Sequence, residues 1–174
     1  PELRRRIGYE INMAKAGKEA RIILKMNALQ DPAMIDELYK ASEAGVKIDL
    51  IVRGICCLIP NQPYSRNIRI TRIVDSFLEH ARVWYFHHGG KPLLFMGSPD
   101  WMRRNLYRRI EAVTPILDED LKQQLIDMLV IQLKDNRKAG WVDENLNNVL
   151  KRNPKEEPVR AQYAFYEYLK GKNK

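Results

Sequence analysis

An Asp-Pro pair and a glycine bracket one stretch of this chain and force a strand, a helix and a second strand to follow one another. Residues 20–26, Ala20-Arg21-Ile22-Ile23-Leu24-Lys25-Met26, are an apolar, β-rich run compact enough for a buried strand. Asp31 stands where an N-cap belongs, Pro32 takes the first helical position, and Gly45 stops the helix. Residues 46–52, Val46-Lys47-Ile48-Asp49-Leu50-Ile51-Val52, make the second strand. Strand, helix and strand in this order imply a right-handed parallel crossover. The chain is read as an α/β protein whose mixed sheet is flanked by helices.

The remaining pattern fills in that frame. Residues 1–16 predict a charged helix ended by Gly17, with Ile7, Ile11 and Ala14 on one face. Short β-like runs follow at 68–74, 81–87, 92–96 and 109–116, and His88-Gly89-Gly90-Lys91 reads as a hairpin turn. Residues 117–134 predict an amphipathic helix with Leu121, Leu125, Met128, Leu129 and Leu133 on one stripe. Past Trp141 the chain turns polar and reads as a linker, before a terminal helix over 159–169 whose Tyr163, Phe165 and Tyr166 dock on the body. The 174 residues are expected to form a single domain, with its core at about 18–143 and the polar linker and terminal helix over 144–174.

Charge narrows the partners. Thirty Lys and Arg against 22 Asp and Glu leave a net charge of +8, which favours polyanions such as nucleic acid, polyphosphate, nucleotides or anionic lipid. Adjacent cysteines rarely bridge each other, so Cys56 and Cys57 read as small buried residues in a reducing compartment. No run reaches the roughly 18 apolar residues of a membrane span. A cytoplasmic protein is expected; its basic charge allows peripheral membrane contact that no segment encodes. The first residues, Pro1-Glu2-Leu3-Arg4-Arg5-Arg6, carry neither an initiator Met nor a signal peptide, and the chain is read as a fragment of a longer one.

Ligands of open α/β sheets lie beyond the carboxyl ends of strands. The second strand ends in Arg53-Gly54, which offers a planar fork for phosphate oxygens beside a residue that lets backbone come close. An arginine there often caps a carboxylate instead. His80 and Arg82 would share a face if their run starts a strand, pairing a proton-exchanging imidazole with a fixed positive charge. A lone His at a strand edge is more often structural. Ser98, Arg104 and Asn105 add donors suited to anions, and Glu111 is placed to orient an arginine or an imidazole. No Walker loop, Gly-x-Gly-x-x-Gly, HExxH or nucleophile elbow occurs, and no metal site is expected.

Four blocks carry a resemblance: Met26-Asn27-Ala28-Leu29-Gln30-Asp31, the stretch 45–58 from Gly45 to Leu58, Leu78-Glu79-His80-Ala81-Arg82-Val83, and Asp100-Trp101-Met102-Arg103-Arg104-Asn105. Over about 20–143 they resemble the C-terminal domain of bacterial polyphosphate kinase, a phospholipase D-like half. The His-x-Lys and Gly-Ser-x-Asn elements of that superfamily are echoed as His80-Ala81-Arg82 and Gly97-Ser98-Pro99-Asp100. Arg82 replaces Lys, Asp100 stands where Asn is usual, and His87 occupies the place of the motif's Asp, which counts against phosphodiesterase activity.

The resemblance implies reversible transfer of the ATP γ-phosphate to inorganic polyphosphate through a phosphohistidine in a preceding domain. It places the arginines associated with Mg2+ in that domain too, so no magnesium ligands are expected here. It implies that Arg53 and His80 contact nucleotide phosphates, with His80 also a proton donor or acceptor opposite the nucleophile. Arg82, Ser98, Asp100, Arg104 and Asn105 are possible supporting residues. The implied partners are ATP, ADP, polyphosphate, the remaining domains of the parent enzyme and other copies of it in a homo-oligomer; the fragment alone is expected to be inactive. Two other classes stay open: a stand-alone polyanion or nucleic-acid binding module, and a phospholipase D-like phosphodiesterase.

Overall fold

Local chemistry sets the first turn of the fold. The computed structural model describes residues 2–152 and 154–172. Helix α1 spans Glu2–Lys15 and strand β1 Arg21–Met26. Asp31 then accepts a hydrogen bond from Met34 N at 3.0 Å, and Pro32 opens α2, Pro32–Glu43. This cap satisfies an amide that the first helical turn leaves unpaired. Gly45, with φ at 98°, turns the chain into β2, Lys47–Val52. β2 runs parallel to β1, with Met26 beside Val52.

The strands that follow are β3 (Ile68–Ile73), β4 (Val83–Phe86), β5 (Leu93–Gly97), β6 (Val113–Pro115), β7 (Ala139–Val142) and β8 (Asn148–Leu150). Helices α3 (Arg103–Arg108), α4 (Glu119–Leu133) and α5 (Ala161–Lys172) lie among and after them. All eight strands join one sheet in the order β6-β5-β4-β1-β2-β3-β7-β8. β1, β2 and β3 are parallel, and every other pairing is antiparallel.

Alternation along the strands divides the core between two faces. Ile22, Leu24 and Met26 of β1, with Trp84 and Phe86 of β4, join the cluster that includes Ile7 of α1 and Leu38 of α2. Ile23 of β1, Ile51 of β2 and Val83 of β4 face the other way, with Met128 and Leu129 of α4 and Ala161 of α5. A sheet covered by helices on both faces buries its central strands, which is why β1 and β2 are mostly apolar, with Lys25 and Asp49 as the buried charged exceptions.

Several expectations change. His80 and Arg82 precede β4, which begins only at Val83, so no strand face holds them together. The run 109–116 yields just β6, and a helix, α3, stands before it. The polar stretch after Trp141 is no linker where β7 and β8 pair as a hairpin that widens the sheet. Leu121 sits on the exposed side of α4, and Tyr163 and Tyr166 of α5 are exposed, leaving Phe165 to pack. Cys57 is exposed; Cys56 is buried, which pushes its thiol up to about 11. His87 and His88 are half-buried, and the His88 ring lies 4.0 Å from that of Tyr9. Pro1 and Asn153, assigned by sequence to the first helix and the linker, lie outside the described residues.

Candidate functional site

Strand direction assembles the site. β1 and β2 are parallel, so Asn27 and Arg53 emerge from the same edge of the sheet. β4 is antiparallel to β1, with Val83 opposite Lys25, and the segment leading into β4 starts at that edge. β5 is antiparallel to β4 with Met96 opposite Val83, so Gly97-Ser98-Pro99-Asp100 returns to it as well. Four segments distant in sequence thus share one rim at the carboxyl ends of the parallel strands, the place where such sheets bind ligands.

Asp100 organises this rim. Its Oδ1 accepts from Asn27 N at 2.8 Å and Ala28 N at 3.1 Å. Arg82 donates to both carboxylate oxygens, from Nε at 3.3 Å and from a terminal nitrogen at 3.1 Å. Burial opposes the charge on Asp100, but the bonds from Arg82, Asn27 and Ala28 outweigh it and hold the carboxyl below the usual carboxylate range. The other terminal nitrogen of Arg82 donates to His80 O at 2.9 Å. All three guanidinium nitrogens of Arg82 are therefore engaged by protein, and its work is to hold the backbone of His80. The His80 residue itself is exposed at the rim.

Arg53 is placed differently. It donates from Nε to Asn27 Oδ1 at 3.1 Å, and its terminal nitrogens have no hydrogen-bond partner among the described residues. Asn27 Nδ2 is buried and likewise without a partner. Gly54 N donates to Asn27 O at 2.8 Å, and a Cβ on Gly54 would stand 2.9 Å from that same oxygen. Only glycine lets the two loops approach this closely. Arg72 braces the turn from the far side, donating to Val52 O at 3.3 Å and to Gly54 O at 2.8 Å.

The remaining sequence candidates gather elsewhere. The Ser98 hydroxyl donates to Glu111 Oε2 and accepts from Ala112 N at 3.2 Å. Asn105 donates to Glu111 Oε1 at 2.6 Å. Glu111 thus binds these two residues and orients neither an arginine nor an imidazole; the bonds from Ser98 and then Asn105 lower its pKa. Arg104 is exposed near the start of α3. Among the described residues no group of three or more His, Cys, Asp or Glu could hold a metal ion.

Sequence reasoning missed the supports. Lys25, on β1, is buried and pairs with Glu79 at 2.6 Å, the two side chains being 3% and 11% exposed. Burial lowers the Lys25 pKa and the Glu79 charge opposes that shift. A lysine inside an apolar strand is the one signal that was legible, because a buried ammonium demands a partner.

Comparison with known proteins fits this geometry. Residues 1–162 match the family model described as polyphosphate kinase C-terminal domain 2. The chain belongs to the polyphosphate kinase family. The polyphosphate kinase of Yersinia pestis is 49% identical over 165 residues, covering 94% of this chain and 24% of the relative. The crystal structure of polyphosphate kinase from Porphyromonas gingivalis superposes with a TM-score of 0.96 at 59% identity, over 97% of this chain and 26% of that one. The chain thus spans about a quarter of the length of the polyphosphate kinases it matches. A phospholipase D family member, Nuc from Salmonella typhimurium, shares the fold at a TM-score of 0.52 and 13% identity, over 83% of this chain and 89% of Nuc. The phospholipase D-like architecture implied by the sequence is the one observed.

Proposed function

We propose that this chain supplies the phosphate-gripping rim of a polyphosphate kinase, which transfers the ATP γ-phosphoryl group reversibly to polyphosphate. The observation that carries this reading is the Arg53 guanidinium, anchored through Nε, with both terminal nitrogens and the neighbouring Asn27 Nδ2 without a hydrogen-bond partner among the described residues. A fork fixed at one edge is pre-organised for two phosphate oxygens. Phosphoryl transfer asks the protein mainly for positioning and charge neutralisation. Arg53 neutralises the nucleotide phosphates, and Asn27 adds a neutral donor.

His80 stands on the same rim and exchanges a proton or hydrogen bond with the oxygen that leaves or attacks. The phosphohistidine that carries the group between nucleotide and polyphosphate belongs to the part of the kinase that precedes this chain. Mg2+ accompanies the nucleotide, and among the described residues no group of three or more His, Cys, Asp or Glu gathers to hold it. Of the other residues flagged from sequence, Arg82 and Asp100 support the site by positioning His80 and Asn27. Ser98 and Asn105 shape the neighbouring turn, and Arg104 adds positive charge beside it. No described helix is long and apolar enough to cross a membrane.

Two alternatives fare worse. The Arg82 guanidinium is held by Asp100, so the cation that a phosphodiesterase would need beside the imidazole is occupied. Single-stranded nucleic acid stacks its bases on exposed rings; Trp84 and Phe86 of β4 are buried, so this strand offers no such platform. Binding of ATP and long-chain polyphosphate to this chain across a salt series tests the proposal, with Arg53→Ala and His80→Ala alongside. Salt-sensitive binding weakened by both substitutions is expected. Binding indifferent to both would move the ligand away from this rim. Supplying the rest of the enzyme in trans should then restore kinase activity to the wild-type chain and to neither variant.

A further inference from the structure

The segment that carries His80 is not held by the sheet. Within residues 75–81 the one backbone–backbone hydrogen bond among the described residues is His80 N to Leu78 O. The segment is shaped instead by side chains from α5 and from just before it. Arg160 donates to Asp75 from Nε at 2.8 Å and from a terminal nitrogen at 2.6 Å, and that nitrogen reaches Ser76 Oγ at 2.9 Å. The Gln162 amide is saturated: Oε1 accepts from Phe77 N at 2.9 Å, and Nε2 donates to Phe77 O and to Glu79 Oε1, each at 2.8 Å. The second Glu79 oxygen takes Lys25 Nζ at 2.6 Å and Gln132 Nε2 at 3.0 Å.

We infer that the start of α5 and the residue before it form a buckle whose Gln162 and Arg160, with the Lys25–Glu79 pair, are positioning residues that aim His80 at its phosphate. The inference rests on the function proposed above. Glu79 is pulled inward while its neighbours Phe77 and Leu78 stay 66% and 71% exposed, so no apolar packing substitutes for these bonds. On the other side of His80, Arg82 grips the His80 carbonyl. His80 therefore sits between two anchored residues, Glu79 and Arg82, neither of which lies in a strand or helix. None of the four positioning side chains needs to touch the ligand. A residue that acts through another changes affinity without contributing a contact.

The chain contains three histidines, which makes the imidazole resonances a direct readout. His87 and His88 lie at the far end of β4 and serve as internal controls. The experiment records the imidazole carbon–proton resonances of the whole chain, free and titrated with tripolyphosphate, for wild type, Gln162→Ala, Arg160→Ala, Arg160→Lys and Lys25→Met/Glu79→Gln. Gln162→Ala and Arg160→Ala are expected to shift or broaden the free His80 resonance, leave His87 and His88 in place, and weaken tripolyphosphate binding about fivefold. Arg160→Lys should recover part of the loss. The double variant removes both buried charges at once, so it keeps the test open if either single change unfolds the chain. A free His80 resonance unmoved in every variant overturns the buckle while wild-type tripolyphosphate binding preserves the phosphate reading. A wild-type His80 resonance that ignores tripolyphosphate overturns that reading, and the ligand-free spectra still decide whether the buckle exists.

Discussion

Arg53 Nε and Asn27 Oδ1 meet at 3.1 Å just beyond the ends of two neighbouring parallel strands. That bond turns a flexible side chain into a fixed fork, and it explains how a cation can be aimed without an acidic partner. The first prediction concerns this fork. Arg53→Ala should lower affinity for ATP or tripolyphosphate about tenfold or more, and reduce the salt slope of binding by roughly one. Arg53→Lys should regain only part of the affinity, because an ammonium restores the charge without the paired geometry. Calorimetric titrations over a salt series measure both quantities, and a lysine variant equal to wild type would show that charge alone suffices.

Gly54→Ala probes the close approach of the two loops. The new Cβ would stand 2.9 Å from the backbone oxygen of Asn27, so one loop must retreat. A stability loss of about 1–3 kcal/mol is expected, together with weaker phosphate binding as the Arg53–Asn27 bond lengthens. Urea unfolding and ligand titration of the same variant separate the two effects. Unchanged binding in a destabilised variant would uncouple this turn from the site.

Asp100→Asn tests why a carboxylate occupies a position where related motifs carry an amide. The substitution keeps an acceptor for the Asn27 and Ala28 amides but loses one of the two oxygens that Arg82 holds. The expected cost is about 1–3 kcal/mol. With one of its two bonds to residue 100 lost, Arg82 should also loosen its hold on the His80 carbonyl, visible as a change in His80 chemical shift. A variant as stable as wild type would demote the carboxylate to a passive spacer.

Acid should loosen the loop that carries His80 before it unfolds the sheet. The hydrogen bonds from Arg160 hold the Asp75 carboxyl down at about 2. The Asp75 side chain is 1% exposed, but Arg160 is 35% exposed and partly screened. The pair therefore stabilises the folded loop, by less than a fully buried pair would. Because the folded pKa lies below the unfolded one, this contribution is complete above about pH 4 and disappears as pH falls through about 2. Urea midpoints of wild type and Asp75→Asn should differ at pH 6 and converge toward pH 2. A constant difference across that range would assign the effect to something other than titration of Asp75.

Punctuation explains which elements were legible in the sequence. Asp31, Pro32 and Gly45 mark α2 within a residue or two, and the apolar runs of β1 and β2 follow from burial on both faces. α3 and β8 escape because each is short, and a run such as Asn148–Leu150, exposed throughout, carries no hydrophobic period to read. The site was half legible. Arg53 and His80 stand on the expected rim, since strand ends point there. The partner of Arg82 was invisible, because an arginine in sequence looks the same whether it faces a ligand or an aspartate 18 positions away. The role of Asn27 was hidden for a similar reason: it depends on Arg53 and Asp100, neither of them local.

The reversal of β4 against β1 has a consequence for how the rim is assembled. The contacts that define the rim close across long stretches: 54 positions between Lys25 and Glu79, 73 between Asn27 and Asp100, and 85 between Phe77 and Gln162. Loops of that length are slow to close, and their entropy is lost before the contacts repay it. A nascent chain that has made only β1, α2 and β2 holds Arg53 near Asn27 but has nothing to place opposite them. The rim is thus expected among the last features to mature, and phosphate bound there as proposed would report completion of the whole topology rather than of any one element.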